Sequence, residues 1–297
     1  MLKEKLQKWC ETKYNSSCAG HCGEHCYDEN DCNNERGCEH DCDKCLDQVH
    51  WFPSKGGRRD YDCPLLLLRY VCRFTDRYSD QISSSLKHVV LSRYPEYNIF
   101  SIGCGGAPDL MAFESIAGGK QIYYKGYDRN PLWRDIHDQI EQYAERTKNL
   151  QVKLRQYDIF DVFARGIPQH RQYNIVVIQY LLSHLFNTGQ SGQIEKLFDY
   201  IIWKLLADRQ LNTPFLIIIT DIDCMNKGRN IWYTLLDKLE DAGYYGMAYA
   251  HSAFPSGDLG AERWSRHKET SVFNNIKYEY HKNDSEHDGA RLIIELI

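Results

Sequence analysis

The sequence has no apolar run near the roughly 20 residues that a membrane-spanning helix needs, which predicts a chain without a membrane span. It lacks a large excess of either charge. Its 36 Lys and Arg stand against 41 Asp and Glu, a net of −5, so any contact with a polyanion must come from a local patch. The opening MLKEKLQKWC lacks the apolar stretch of a secretory signal, and a reducing, cytoplasmic compartment is the expectation. No internal repeat or low-complexity tract is visible. Cysteine is scarce in the later chain: after Cys72 come Cys104 and Cys224 alone.

The cysteines crowd at the other end. Eight of the 12 are Cys10, Cys18, Cys22, Cys26, Cys32, Cys38, Cys42 and Cys45, with Cys63 and Cys72 following. In an oxidising compartment such a cluster would form disulfides; in a reducing one it points to metal. The spacings are Cys18-x3-Cys22-x3-Cys26-x5-Cys32 and Cys38-x3-Cys42-x2-Cys45, and His21, His25, His40 and His50 lie among them. Structural zinc takes four thiolate or imidazole ligands. The supply fits two ions, one on Cys18, Cys22, Cys26 and Cys32, the other on Cys38, Cys42, Cys45 and Cys63. Residues 1–50 are poor in apolar residues and acidic, with six Lys and Arg against eleven Asp and Glu. Such a stretch is expected to need cross-links or metal for its stability.

A basic, turn-like linker, PSKGGRRDYD, comes next. Pro64 suits a first helical position, and the run to Tyr94 reads as helix. Arg69, Arg73 and Arg77 recur every four residues on one face. Residues 51–96 hold eight basic against five acidic residues, a net of +3. That stripe could follow the phosphates of a nucleic acid, RNA in particular; a solvated helix face is the plain alternative.

From about residue 96 strands and helices alternate. NIFSIG, QIYYKGYD, VKLRQYDIF, the start of YNIVVIQYLLSHL, and FLIIITDID read as strands separated by helices. YGMAYAHSAF, VFNNIKYEYH and RLIIELI supply late strands. The pattern predicts an α/β fold with a mostly parallel sheet covered on both faces. The expected organisation is a cysteine-rich metal-binding module over 1–63, a helical connector over 64–95 and the α/β domain over 96–297.

The most informative segment is SIGCGGAPDL, residues 101–110, where a strand runs into a glycine turn and then a helix. Gly103 and Gly105 let the backbone approach a ligand, and the helix N-terminus offers N–H groups to its anionic end. The second strand ends at Asp128, about the distance downstream at which an acid meets ribose hydroxyls. The third ends at Asp158 and Ile159, a carboxylate beside an apolar shelf. Each acid alone reads equally as a helix cap; both together, after a glycine turn, point to a nucleoside.

The order SIGCGGAPDL, KGYDRNP, QYDIFD, YNIVVIQYLLSHL, FLIIITDID resembles class I S-adenosylmethionine-dependent methyltransferases over roughly residues 96–297. The resemblance implies a Rossmann-like fold: a seven-stranded sheet whose last strand, here RLIIELI, is antiparallel. It also implies S-adenosyl-L-methionine as cofactor and a transferase activity. On that basis Gly103 and Gly105 cradle the methionine part, Asp128 binds the ribose, Asp158 and Ile159 frame the adenine, and Gln179 and Tyr180 face the methyl group. Two positions depart from the family. Ser101 stands where an acid is common, and Ala107 replaces the third glycine. Asp109 is read either as taking over the cofactor's amino group or as a first-turn acid favoured by the helix dipole. A nicotinamide dehydrogenase would need the GxGxxG spacing, which is absent.

The segment after the fourth strand has neither a Pro-Pro-aromatic loop nor a Pro-Cys nucleophile, which argues against amino or C5 methylation of DNA bases. Tyr180 and His184 are the catalytic candidates, His184 because imidazole titrates near neutral pH. Asp221 and Asp223 read as site acids or helix caps, and Cys104 and Cys224 as packed residues. Trp264, Arg263 and Arg266, within residues 251–267, fall where substrate loops often lie. Cys38-x3-Cys42-x2-Cys45 also matches the cluster motif of radical S-adenosylmethionine enzymes. Those enzymes carry a barrel of repeated strand–helix units after the motif, whereas here a helix and then a separate Rossmann-like domain come next. The expectation is therefore a methyltransferase whose acceptor is a nucleic acid, with RNA favoured. The alternatives are a small-molecule or protein acceptor with the zinc module as a lid or dimer element, and a catalytically idle binding protein.

Overall fold

Alternating strands and helices wind into one sheet flanked by helices on both faces. The computed structural model describes residues 1–18, 42–50, 61–166, 172–207, 209, 213–222, 231–252, 277–280 and 289–297. In chain order come α1 (Leu2–Cys18), α2 (Cys42–His50), α3 (Pro64–Leu86), β1 (Tyr97–Ile102), α4 (Pro108–Ile116), β2 (Ile122–Tyr127), α5 (Arg134–Glu145) and β3 (Leu150–Arg155). Then follow α6 (Ile159–Arg165), β4 (Ile175–Gln179), α7 (Leu182–Asn187), α8 (Ser191–Tyr200, continued as a π-helical turn), β5 (Phe215–Ile222), α9 (Trp232–Asp241), β6 (Gly246–Ser252), β7 (Lys277–Tyr280) and β8 (Gly289–Leu296). Among the described residues no helix is long and apolar enough to cross a membrane.

The strand order is β3-β2-β1-β4-β5-β8-β6-β7. β1 to β5 run parallel, and β8 is antiparallel to both β5 and β6. The expected Rossmann-like sheet with an antiparallel last strand is present. It has eight strands rather than seven, because Lys277–Tyr280 adds an edge parallel to β6. β1 and β5 are buried almost throughout, which is why YNIFSI and FLIIITDI read as unbroken apolar runs; β3 alternates buried and open positions, as an outer strand does. The order reverses between β1 and β4, so their carboxyl ends flank the crevice where ligands of such sheets bind.

Successive residues of a strand point to opposite faces. Ile99, Val177 and Ile218 pack with α1, α3, α4 and α5. Phe100, Val176 and Ile217 pack with α6 to α9. The expectation that the first 50 residues need external cross-links is corrected at its start. α1 puts Leu2, Leu6 and Cys10, four residues apart, into the main core against α3 and α5. The Leu2 amide donates to Glu114 Oε2 at 2.8 Å, and burial pushes the Cys10 thiol's pKa well up. The helix expected from Pro64 forms but ends at Leu86, short of Tyr94.

Candidate functional site

The turn after β1 is built by its glycines and held from below. Gly103 (φ +67°) and Gly105 (φ +47°) adopt the left-handed conformation that only glycine reaches freely. Ala107, at φ +56°, holds the same conformation with a side chain, so the departure from a third glycine costs roughly 1–2 kcal/mol. The amides of Gly103 and Cys104 donate to Tyr127 O at 2.8 and 3.0 Å. Asp128 accepts from the Gly105 amide at 3.0 Å and, through its other oxygen, from the Asn130 amide at 2.9 Å. The two elements that the sequence linked as a nucleoside cradle therefore meet.

Trp133 and His137, which carried no motif in the sequence, form the floor of this turn. A Cβ on Gly105 would lie 3.4 Å from the Trp133 ring, and Trp133 stacks parallel to His137 at 6.2 Å. His137 Nε2 is 2.7 Å from Gly105 O, which can only accept, so Nε2 carries the proton. Nδ1 then accepts from Gln156 Nε2 at 2.7 Å. Burial lowers the His137 pKa to about 4, offset by the bond to Gly105, so the ring is neutral near pH 7. Its spacing of four from Trp133 was the available signal.

Above the crevice lies an aromatic face of α3. Tyr70, Phe74 and Tyr78 recur every four residues, next to the arginine stripe. Tyr70 meets Trp133 edge-on at 5.7 Å, Phe74 stacks on Tyr78 at 5.4 Å, and Tyr78 lies 4.3 Å from the Tyr180 ring. The Tyr180 hydroxyl donates to Gln81 Oε1 at 2.9 Å, and Gln179 Nε2 donates to Tyr78 O at 2.9 Å. Tyr61 brings His184 to the rim, at 6.5 Å between rings.

The remaining acids take different positions. Asp158 caps α6, accepting from the Phe160 amide at 2.8 Å, and Ile159 is buried in the core behind it. Asp109 is buried behind the glycine turn, where the Tyr124 hydroxyl donates to it at 2.8 Å and the Ser101 hydroxyl also bonds it. Asp221 accepts from the Ser183 and Ile222 amides at 3.0 and 2.7 Å. Burial raises both pKa values to about 6 against the hydrogen bonds. The folded state thus favours protonation. The stability tied to each is complete below the unfolded value of about 4 and is lost as pH rises through 6, by roughly 3 kcal/mol each. Asp109→Asn is therefore expected to gain on wild type by about 2–3 kcal/mol between pH 4 and pH 8 in urea unfolding. A difference that stays constant with pH would contradict a buried, protonatable Asp109.

The expected metal ligands are described only in part. Cys42 and Cys45 on α2 and Cys63 at the start of α3 are buried in one small cluster with Leu46 and Leu66. Thiol donors suit zinc, yet among the described residues no group of three or more His, Cys, Asp or Glu is arranged to hold an ion. Cys22, Cys26, Cys32 and Cys38 lie outside the described residues, as does the Cys18 side chain; so do Asp223, Cys224, Arg263, Trp264 and Arg266. The arginine stripe is engaged. Arg69 forms a two-pronged pair with Asp43 at 3.0 and 2.8 Å, and Arg73 binds Asp47 at 2.7 Å and Asp43 O at 3.2 Å.

No family model matches the sequence, and no curated relative does. Among the solved structures to which the chain is similar at low identity are several methyltransferases. The plantazolicin methyltransferase BpumL, in complex with SAH, is 11% identical over 76% of this chain and 87% of its own, with a TM-score of 0.44. A SAM-dependent methyltransferase from Archaeoglobus fulgidus is 14% identical over 75% and 97%, at 0.40. The methyltransferase domain of bacterial CtHen1-CN is 11% identical over 74% and 100%, at 0.41. Likeness this low says nothing of what the present chain binds, and the site has to speak for itself.

Proposed function

We propose that this chain is an S-adenosylmethionine-dependent methyltransferase whose acceptor enters between α3 and the carboxyl ends of β4 and β5. The observation that carries the reading is the Gly103–Gly105 turn tied to Asp128 at the crevice where the strand order reverses. The residues present fit the cofactor. Two left-handed glycines leave room beside the backbone, Asp128 offers carboxylate lone pairs to vicinal hydroxyls, and Trp133 and His137 hold the turn rigid. When bound, the cofactor supplies an electrophilic methyl group. The chain's task is to orient an acceptor in line with it and to exclude water. Tyr180 and His184 stand at the rim for that task, and the His184 imidazole is the group suited to receive a proton there.

The acceptor is a small molecule rather than a polynucleotide in this reading. Arg69 and Arg73 are already paired with α2, so a phosphate backbone would have to displace Asp43 and Asp47. Incubation with methyl-labelled S-adenosylmethionine and fractionated cell extract tests this. Label is expected in the low-mass fraction. Label in RNA would overturn the acceptor class and favour the basic stripe; no transfer to any fraction would favour an idle binding protein.

Zinc belongs to the same reading as a structural element that fastens α2 to the start of α3. The reading rests on the donor chemistry and spacing of the cysteines, not on their present geometry: Cys42, Cys45 and Cys63 share one buried cluster but are not grouped around an ion, and thiolates drawn onto one would stabilise a segment too small to hold itself. Elemental analysis is expected to find about two zinc ions per chain and little iron, the number four-ligand sites would take from this cysteine supply. A brown, iron-rich preparation, or one free of metal, would overturn it.

A further inference from the structure

Tyr180 is the bulky residue on which the crevice is strained. Its φ is +56°, a conformation that a tyrosine adopts only when its surroundings impose it. The surroundings do so through the hydrogen bond that the Tyr180 amide donates to Thr220 O at 2.8 Å, the ring contact with Tyr78 and the bond that the hydroxyl donates to Gln81. Around this residue three buried polar atoms have no partner: Gln81 Nε2, Gln179 Oε1 and Thr220 Oγ1. Gln81 and Thr220 are fully buried, and Gln179 and Thr220 sit side by side in the parallel register of β4 and β5. Proteins leave few such atoms unsatisfied, and three where α3 meets the carboxyl ends of β4 and β5 mark a place where outside polar atoms are received. They comprise a donor, an acceptor and a hydroxyl that can be either. Tyr78 and Tyr180 beside these atoms are aromatic and suit a flat ring.

We infer that this slot holds the methyl acceptor, and that the acceptor is a heteroaromatic ring with a lactam edge, a ring C=O beside a ring N–H. This rests on the methyltransferase reading. The ring C=O accepts from Gln81 Nε2, the ring N–H donates to Gln179 Oε1, and Thr220 Oγ1 serves a third polar atom. In the state described the Tyr180 ring lies over Tyr78 and closes the slot. Entry requires the Tyr180 ring to turn about its side-chain torsions and give up its hydroxyl bond to Gln81.

The test uses the full chain with saturating S-adenosylhomocysteine and 4(3H)-quinazolinone as probe, followed by saturation-transfer NMR and calorimetry. The probe is expected to bind, and 3-methyl-4-quinazolinone, whose N–H is blocked, to bind at least tenfold more weakly. Thr220→Val removes an unpartnered hydroxyl with little change of shape. It should leave thermal stability unchanged or higher while weakening the probe at least threefold. Gln81→Met should weaken the probe about tenfold, and Thr220→Val keeps the test alive if that variant folds poorly. Equal binding of the blocked probe, or of benzamide as a plain carboxamide, would overturn the lactam-ring assignment. So would a Thr220→Val protein that is destabilised yet binds the probe as wild type does. If S-adenosylhomocysteine binds and the probe does not, the inference falls and the methyltransferase reading stands. If S-adenosylhomocysteine does not bind, both fall.

Discussion

Gly126→Ala is expected to destabilise the protein by about 2–3 kcal/mol, the range of overpacking a closed core. Gly126 is buried in β2, between Ser101 and Leu154 in register. A Cβ there would lie 2.7 Å from Leu154 Cδ2, 2.8 Å from Cys104 Sγ and 2.9 Å from the Tyr124 ring. None of the three can retreat freely, since Leu154 and Tyr124 are core side chains and Cys104 belongs to the glycine turn. The methyl group therefore pushes on the cradle as well as on the core. Urea unfolding should report the lost stability, and calorimetry a parallel loss of S-adenosylhomocysteine affinity. Unchanged stability would mean that β2 and the turn are not packed as described.

Asp128→Ala acts on the cradle more directly. It removes the acceptor for the Gly105 and Asn130 amides and the carboxylate proposed for the ribose hydroxyls. The loss of charge-assisted bonds predicts weaker S-adenosylhomocysteine binding by about 1–3 kcal/mol, roughly 5-fold to 150-fold. Asp128→Asn separates the two roles. Its remaining oxygen can keep one amide while the charge is gone, so its loss should be intermediate. Asp158→Ala is the control: that carboxylate caps α6, and its removal should cost about 1 kcal/mol of stability. If Asp128→Ala binds the ligand as wild type does, the carboxylate has no part in the cofactor site.

The meeting of the glycine turn with Asp128 was legible in the chain because short-range chemistry fixed it. A strand running into Gly103-x-Gly105, with an acid at the end of the next strand, can be read from spacing, and Asp128 does reach the turn. The antiparallel β8 was legible as a final apolar run. Other features depended on which of several faces packs, which periodicity alone does not decide. On α3 the arginine stripe drew attention, while Tyr70, Phe74 and Tyr78, one residue further round, form the wall of the crevice. On α1 the spacing of Leu2, Leu6 and Cys10 was present, but the low apolar content of the segment obscured it. Asp158 shows the opposite limit. An acid before a helix satisfies a cap and a ligand pattern equally; the hydrogen bond from Phe160 N shows the cap, and a capping carboxylate keeps a second oxygen that a ligand can use. Gln81 and Thr220 carried no sequence signal, since their interest lies in what they fail to bond inside the fold.

A nucleoside-cofactor cradle formed by the Gly103–Gly105 turn and Asp128 must bind S-adenosylhomocysteine. Calorimetric titration of S-adenosylhomocysteine into the wild-type chain tests it most directly. One site per chain with micromolar or tighter affinity, about −8 kcal/mol or better, is expected. A flat titration from a folded protein would contradict it.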